Sequence, residues 1–122
     1  MSDIFVFDTY AILEIINGNK NYEAYLDKKI IINDFIFAEL CYILIREKYP
    51  NADKYLDKYS KHIIHASHDV INKAMKFRHK HQKRKMSMTD CISYFMAKEL
   101  GIKFLTGDKE FENLDDVEFV KK

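Results

Sequence analysis

Short apolar runs alternate with longer helical patterns along this chain, and this alternation constrains its fold more than any other feature. The first run, Ile4–Phe7, is apolar throughout, as expected of a strand that is buried on both faces. Further strands are predicted at Lys29–Asn33, His62–His65, Ile102–Leu105 and Val117–Val120. Because helical patterns separate most of these runs, the strands should pair in parallel through right-handed crossovers.

Helical periodicity accounts for most of the chain between these strands. The predicted helices are one around Ala11–Ile16, a short one at Tyr22–Lys28, a long one capped by Asp34 and closed before Pro50, one from Asn51, one at Asp69–Gln82, and one that Ser87 or Thr89 caps and Gly101 ends. We therefore predict an α/β fold, a three-layer-like sandwich in which helices flank a central, mostly parallel sheet of four to five strands.

The length of 122 residues fits one domain, and we expect it to cover residues 1–122 without a linker or repeat. No apolar run is long enough to cross a membrane, and the N-terminal residues do not resemble a secretory signal. Cys41 and Cys91 lack the spacing of a metal site, so we interpret them as reduced thiols. These features predict a cytoplasmic protein.

The net charge of +1 conceals an uneven distribution of charge. The segment from Lys76 to Lys85 reads KFRHKHQKRK and contains no acid, whereas the segment from Glu110 to Glu118 is acidic. The basic segment is either a solvated helix face or a surface that binds a polyanion.

Four acids occupy positions where a binding site is expected. Asp8 directly follows the first strand, and Asp108 follows the strand Ile102–Leu105 after a Thr-Gly turn. Glu39 and Asp90 lie among apolar residues near the starts of predicted helices. Ligands of open parallel sheets bind at the carboxyl ends of the strands. Acids in apolar surroundings are costly unless they are paired or bound to a cation, so we expect these four to meet around a metal.

Each acid also has an ordinary structural interpretation. Asp8 is suited to cap the helix that follows it, Asp90 to complement a helix dipole, and Asp108 to occupy a turn. Glu39 is the hardest to explain in this way. If a metal is bound, carboxylates without cysteine favour Mg²⁺ or Mn²⁺ over zinc. The loosely spaced histidines do not form a zinc motif.

Taken in order, these segments resemble PIN domains, and within them the VapC-type ribonuclease toxins of toxin–antitoxin pairs. The resemblance covers essentially the full chain, and it rests on the order of four segments, FVFDTYAIL, FIFAELCYIL, SMTDCISYFMAKELGI and KFLTGDKEFENLDDVEFV. It implies a PIN-like fold and a metal-dependent endoribonuclease that leaves a 5′-phosphate and a 3′-hydroxyl. It also implies an RNA substrate, a homodimer and a cognate antitoxin protein.

The resemblance assigns roles to particular residues. Its catalytic and metal-binding acids are Asp8, Glu39, Asp90 and Asp108, with Mg²⁺ or Mn²⁺ as the cofactor and with supporting hydroxyl groups on Thr9 and Thr106. One departure is Glu110, where many relatives carry Asp, so its place in the site is open. The basic segment just before Asp90 is expected to position the RNA backbone through Lys80, Lys83, Arg84 and Lys85.

Three alternatives remain open at this point. Asp8 stands where some phosphatases carry an aspartyl nucleophile, but that class needs a second Asp where this chain has Tyr10. A PIN-like scaffold that binds RNA or protein without cutting is the second alternative. The third is a nuclease of housekeeping RNA processing, which a neighbouring antitoxin gene would argue against.

Overall fold

The computed structural model describes residues 3–122, and at its centre lies a four-stranded parallel sheet. The strands are β1 (Ile4–Phe7), β2 (Lys29–Ile31), β3 (Lys103–Thr106) and β4 (Val117–Phe119). Their order across the sheet is β2-β1-β3-β4, and every pairing is parallel. The predicted α/β fold with a central, mostly parallel sheet is therefore confirmed.

Helices connect the strands. They are α1 (Thr9–Ile16), α2 (Asp34–Arg46), α3 (Ala52–Ser60), α4 (His68–Lys80) and α5 (Met88–Leu100), with short 3-10 helices at Lys20–Tyr25 and Lys109–Phe111. The predicted helix Tyr22–Lys28 is replaced by the first 3-10 helix, which begins earlier. Asn19 starts it by accepting a hydrogen bond from the Asn21 N–H at 2.9 Å.

Strand β1 lies in the interior of the sheet and pairs with both β2 and β3. Its residues Phe5, Val6 and Phe7 are buried, as expected of a strand that is covered on both faces. The hydrophobic effect therefore fixes β1 in the middle of the fold. Its carboxyl end is placed beside that of β3.

The N-cap of α2 differs from the prediction. Asn33, and not Asp34, caps this helix, because the Asn33 side chain accepts a hydrogen bond from the Ile36 N–H at 2.9 Å. Asn33 is buried and can reach that N–H, whereas Asp34 is the first residue of the helix and lies near His65 instead. At α5 Ser87 is the cap, one of the two that the sequence offered, because it accepts from the Asp90 N–H at 3.0 Å, whereas Thr89 lies within the helix.

The predicted strand His62–His65 is wrong. This segment forms only one isolated bridge, between Ile63 and Ile32, just beyond the end of β2. The Ile32 N–H donates to the His62 carbonyl, and the Ile64 N–H donates to the Ile32 carbonyl, at 3.0 and 2.8 Å. The pairing stops there because Asn33 already begins to cap α2.

Two sequence expectations concern membranes and thiols. None of the helices within residues 3–122 is long and apolar enough to cross a membrane. Cys41 is half-buried and Cys91 is buried, and both are free thiols.

Candidate active site

Asp8 lies at the carboxyl end of β1 and is the most buried of the four acids, with 2% of its surface exposed. Its Oδ1 accepts a hydrogen bond from the Tyr10 N–H at 2.8 Å, so that it caps α1. Its Oδ2 accepts from the Thr106 hydroxyl at 2.5 Å. Asp8 therefore fulfils the ordinary capping role and still presents a carboxylate at the edge of the sheet.

Asp108 follows the end of β3, the strand next to β1. The Asp108 N–H donates to the Thr106 hydroxyl at 3.1 Å. Asp108 in turn accepts from the Glu110 N–H at 3.0 Å and so begins the second 3-10 helix. One buried hydroxyl group, on Thr106, thus connects the turn of Asp108 to the carboxylate of Asp8.

Glu39 comes to the same region from α2. It is half-buried, and its Oε1 accepts a hydrogen bond from the Thr9 hydroxyl at 2.7 Å. Thr9 is fully buried and directly follows Asp8. Thr9 and Thr106, the two hydroxyl residues predicted beside the acids, each hydrogen-bond one of the acidic side chains.

Asp90 lies in the first turn of α5 and is half-buried. Burial raises the pKa of its carboxyl group to about 8, and the negative charges of Asp8, Asp108 and Glu39 add to the increase. Asp8, Asp108 and Glu39 therefore lie near enough to Asp90 for their charges to act on it. The four acids thus lie in one region of the fold, and their role as one site stays a prediction.

Asp8 responds to the same surroundings. Burial raises the pKa of its carboxyl group, and the charge of Glu39 acts in the same direction. The hydrogen bonds from Thr106 and Tyr10 oppose this change, as does the positive charge of Lys122. Lys122 was not predicted from the sequence to lie near the acids.

The donor set has the chemistry of a site for a hard divalent cation. It offers carboxylate and hydroxyl oxygens and no imidazole or thiolate, and its charges disfavour one another. Within residues 3–122, no three His, Cys, Asp or Glu side chains are arranged closely enough to hold a metal ion. The residues fit such an ion by the chemistry of their oxygen donors, and their side chains would have to come closer together to bind it.

The basic segment before Asp90 spans the end of α4 and the loop that follows. Lys80, Lys83 and Lys85 are exposed there. Arg84 is different, because its Nε donates to Glu110 Oε1 at 3.1 Å and its Nη2 donates to the Glu110 carbonyl. Glu110 is thus held by Arg84, a pairing that the sequence did not reveal.

Gly107 lies between Thr106 and Asp108 in a position with no room for a side chain. A Cβ atom there would stand 2.7 Å from the Val120 carbonyl oxygen, 2.7 Å from Lys122 Cγ and 2.8 Å from the Tyr22 hydroxyl. The Thr-Gly-Asp turn therefore requires glycine because other parts of the chain pack against it.

One sizeable cavity lies away from the acids. It has a volume of about 560 Å³ and lies along α3, lined by Asn51, Lys54, Tyr55, Asp57, Lys58, Lys61 and His62. None of the four acids lines it. This cavity is therefore separate from the acidic region.

The sequence profile of the PIN domain matches residues 5–117. This match covers β1 to the start of β4 and includes the four acids, and the chain belongs to the PIN domain family. No curated protein sequence matches the chain.

Solved structures show the same fold at low sequence identity. A toxin–antitoxin complex from Klebsiella pneumoniae aligns with a TM-score of 0.76 and 20% identity over 93% of this chain and 95% of its own. The sarcin-ricin loop cleaving toxin VapC20 of Mycobacterium tuberculosis aligns with a TM-score of 0.74 and 20% identity, over 96% and 98%. VapBC2 from Rickettsia felis, bound to a promoter DNA fragment, has a TM-score of 0.73 and 18% identity, over 97% and 99%.

Proposed function

We propose that the chain is a single PIN-like domain over residues 1–122 that acts as a metal-dependent endoribonuclease, the toxin of a toxin–antitoxin pair. Membership of the PIN domain family supports the nuclease class. The names of the similar solved structures, which are toxins and toxin–antitoxin complexes, support the toxin role. The RNA that is cut is a separate question from the chemistry of the site.

The observation that carries this proposal is the proximity of four acids at the carboxyl edge of one parallel sheet. The pKa of Asp90 is raised to about 8 by burial and by the other three carboxylates. A protein that needed these residues only for folding would gain nothing from placing like charges together. A site that binds a cation gains affinity from the same arrangement, which is why perturbed acids mark functional sites.

Asp8, Asp90, Asp108 and Glu39 would hold Mg²⁺ or Mn²⁺, which when bound acidifies water and offsets the charge that develops on a phosphodiester. The chain itself orients these acids. Thr106 fixes Asp8 and the Asp108 turn, and Thr9 fixes one oxygen of Glu39.

RNA binding beside the acids requires positive charge, because the acids repel phosphates. The exposed side chains of Lys80, Lys83 and Lys85 supply it in the segment that leads to α5. Contacts of this kind hold the backbone and carry little sequence information. Arg84 belongs to the same segment, although Glu110 already neutralises much of its charge.

Partner proteins belong to the same proposal, namely a cognate antitoxin and a second copy of the chain. Several large apolar side chains are exposed, which is consistent with burial against other proteins. They are Tyr10, Leu26, Phe35, Tyr42, Ile45, Ile64, Met88 and Leu100.

The experiment is cleavage of labelled structured RNAs, including a sarcin-ricin loop hairpin, with Mg²⁺, Mn²⁺ or EDTA. Asp8→Asn is the test variant, and Asp69→Asn is the matched control, because Asp69 is an exposed acid in the first turn of α4. We expect cleavage that requires the metal, is lost in Asp8→Asn by at least about a hundredfold, and is unchanged in Asp69→Asn.

Two results would contradict the proposed function. If folded protein binds RNA but cuts none of the substrates with either metal, the chain is a non-catalytic PIN-like scaffold. If it cuts RNA and its expression does not inhibit growth, a housekeeping nuclease replaces the toxin.

A further inference from the structure

The segment after β4 is tied alongside the Thr-Gly-Asp turn by hydrogen bonds. The Val120 N–H donates to the Thr106 carbonyl at 2.9 Å, and the buried Tyr22 hydroxyl donates to the Val120 carbonyl at 2.8 Å. The Asn21 side chain donates to the Lys121 carbonyl at 3.0 Å. Consecutive residues are thus anchored, and they direct the chain past the carboxyl edge of β3.

The next residue, Lys122, crosses the turn with its aliphatic stem. Its Cγ stands 2.7 Å from the position that a Cβ atom of Gly107 would occupy. The absence of a side chain at Gly107 therefore makes room for the stem of Lys122. Packing of this kind restricts a lysine stem that would otherwise move freely.

The ammonium group of Lys122 lies over the ring of Tyr10, 4.7 Å from its centroid. Tyr10 is on α1, two residues after Asp8, and its N–H is hydrogen-bonded to the Asp8 carboxylate. A cation over an aromatic face is held in place electrostatically. No carboxylate within the described residues lies within 4.0 Å of this ammonium group, so its charge is available to a ligand.

We propose that Lys122 is a substrate-binding residue of the acidic site, and that its ammonium group, positioned by the ring of Tyr10 and by Gly107, contacts a phosphate of the RNA strand next to the bond that is cut. This inference rests on the proposed ribonuclease function and names one contact that the function requires. The geometry places a restrained cation beside the helix start that Asp8 caps and beside the Thr-Gly-Asp turn, where an anionic strand would otherwise be repelled by the acids.

The position of its ammonium group distinguishes a substrate-binding Lys122 from a counter-ion that only stabilises the fold. Tyr10 links Lys122 to Asp8, because its N–H donates to Asp8 Oδ1 at 2.8 Å and its ring lies beneath the ammonium group of Lys122. Yet the ammonium group rests on Tyr10 and makes no ion pair with Asp8. A lysine that only stabilises the fold would be expected to form an ion pair with a carboxylate. A lysine that binds a phosphate of the RNA keeps its N–H donors free until the RNA is bound.

The test compares Lys122→Met with Lys121→Met, the neighbouring exposed lysine, by two readouts on the same labelled RNA. Steady-state cleavage in Mn²⁺ gives KM and kcat, and fluorescence anisotropy in EDTA gives Kd over a range of salt. For Lys122→Met we expect KM and Kd to rise about threefold to tenfold, kcat to change less than twofold, and the salt slope to fall by about one. Lys122→Arg should restore binding.

Tyr10→Leu removes the ring that positions the ammonium group and leaves its charge. We expect KM to rise by less than in Lys122→Met, with an unchanged salt slope, because the number of positive charges is the same. Circular dichroism controls for folding, and both side chains are exposed.

The outcomes separate this inference from the proposed function. If the wild type cleaves RNA and Lys122→Met matches Lys121→Met in KM, Kd and salt slope, the role of Lys122 is overturned and the nuclease stands. If the wild type binds RNA through Lys122 but never cuts it, the nuclease proposal fails together with the placement of Lys122 next to a cleaved bond, and Lys122 is a phosphate-binding residue of an RNA-binding scaffold. If the wild type neither binds nor cuts RNA, both fail.

Discussion

The hydroxyl group of Thr106 donates a hydrogen bond to the carboxylate of Asp8 at 2.5 Å, although 98 residues separate them in the chain. The same hydroxyl accepts a hydrogen bond from the Asp108 N–H. Parallel pairing of β1 with β3 makes this possible, because it brings the ends of both strands to one edge. Thr106 therefore sets the relative positions of two of the acids before any ligand binds.

Thr106→Val tests this role, because valine keeps the approximate shape and removes the hydroxyl. We expect the free energy of unfolding to fall by about 1–3 kcal/mol, since a buried carboxylate oxygen loses its donor. Thr106→Ser keeps the donor and should retain most of that stability. Urea denaturation in EDTA measures both variants, and equal stability of the valine variant and the wild type would contradict the role.

The raised pKa of Asp90 predicts a pH-dependent stability in the absence of metal. The folded protein holds a proton on Asp90 up to about pH 8, whereas the unfolded chain releases it near the ordinary value of 3.8. Below that ordinary value this contribution to stability is fully present, and it is lost as pH rises through the folded pKa. Mg²⁺ or Mn²⁺ should cancel the loss by binding the ionised form.

The variant for this prediction is Asp90→Asn, which stays neutral at every pH. Relative to the wild type in EDTA, it should gain several kcal/mol in stability as the pH rises from 4 to 9, since each pKa unit corresponds to about 1.4 kcal/mol. Asp69→Asn is the control, because Asp69 also lies in the first turn of its helix, α4, but is exposed. Thermal unfolding across this pH range measures the stability of each variant. A stability difference between Asp90→Asn and the wild type that does not change with pH would contradict the raised pKa of Asp90.

The strands that precede Asp8 and Asp108 were predictable because their signals are local. An apolar run followed by Asp predicts both β1 and the position of its acid, and the rule of carboxyl ends then places Asp108 nearby. The prediction of a strand at His62–His65 was wrong for a reason that lies outside this segment. Its partner segment forms one bridge, between Ile32 and Ile63, and then enters α2 at Asn33. The residues of one segment do not indicate where the strand that it would pair with ends.

Asn33 and Ser93 form a buried link between α2 and α5, the helices that carry Glu39 and Asp90. Asn33 Nδ2 donates to Ser93 Oγ at 3.1 Å, while Asn33 Oδ1 caps α2. Asn33→Ala should lower the free energy of unfolding by about 2 kcal/mol, because it removes a cap and a buried hydrogen bond. In a double-mutant cycle with Ser93→Ala, urea denaturation should give a coupling energy of about 0.5–1.5 kcal/mol, and additive effects would contradict the link.

Arg84 and Lys83 are adjacent in the basic segment but should behave differently toward RNA. Glu110 neutralises much of the charge of Arg84, whereas Lys83 is exposed. Lys83→Met should reduce the slope of log Kd against log salt by about 0.7–0.9, the value expected for one phosphate contact. Arg84→Met should change this slope less and lower stability by less than about 1 kcal/mol. Anisotropy in EDTA distinguishes them, and equal slopes would show that Arg84 binds RNA despite Glu110.

The contacts that the sequence did not reveal are those between distant residues. Arg84 meets Glu110, Asn33 meets Ser93, and Lys122 reaches Tyr10 only through the folded arrangement of the sheet edge. Each pair is defined by packing and not by periodicity or motif, so neither residue carries a signal of its partner. The four acids differ from these pairs, because the order of the motifs that contain them resembles that of PIN domains and so indicates them from the sequence.

The measurement that most directly tests the account is a Mn²⁺ titration in which metal binding and RNA cleavage are followed in the same samples, by electron paramagnetic resonance and by gel. For the wild type, we predict that the cleavage rate rises with metal occupancy and that EDTA abolishes both. In Asp8→Asn, both should be lost, because this carboxylate is central to the acidic site. Cleavage that proceeds equally in EDTA, or in Asp8→Asn, would contradict a metal-dependent site built on these four acids.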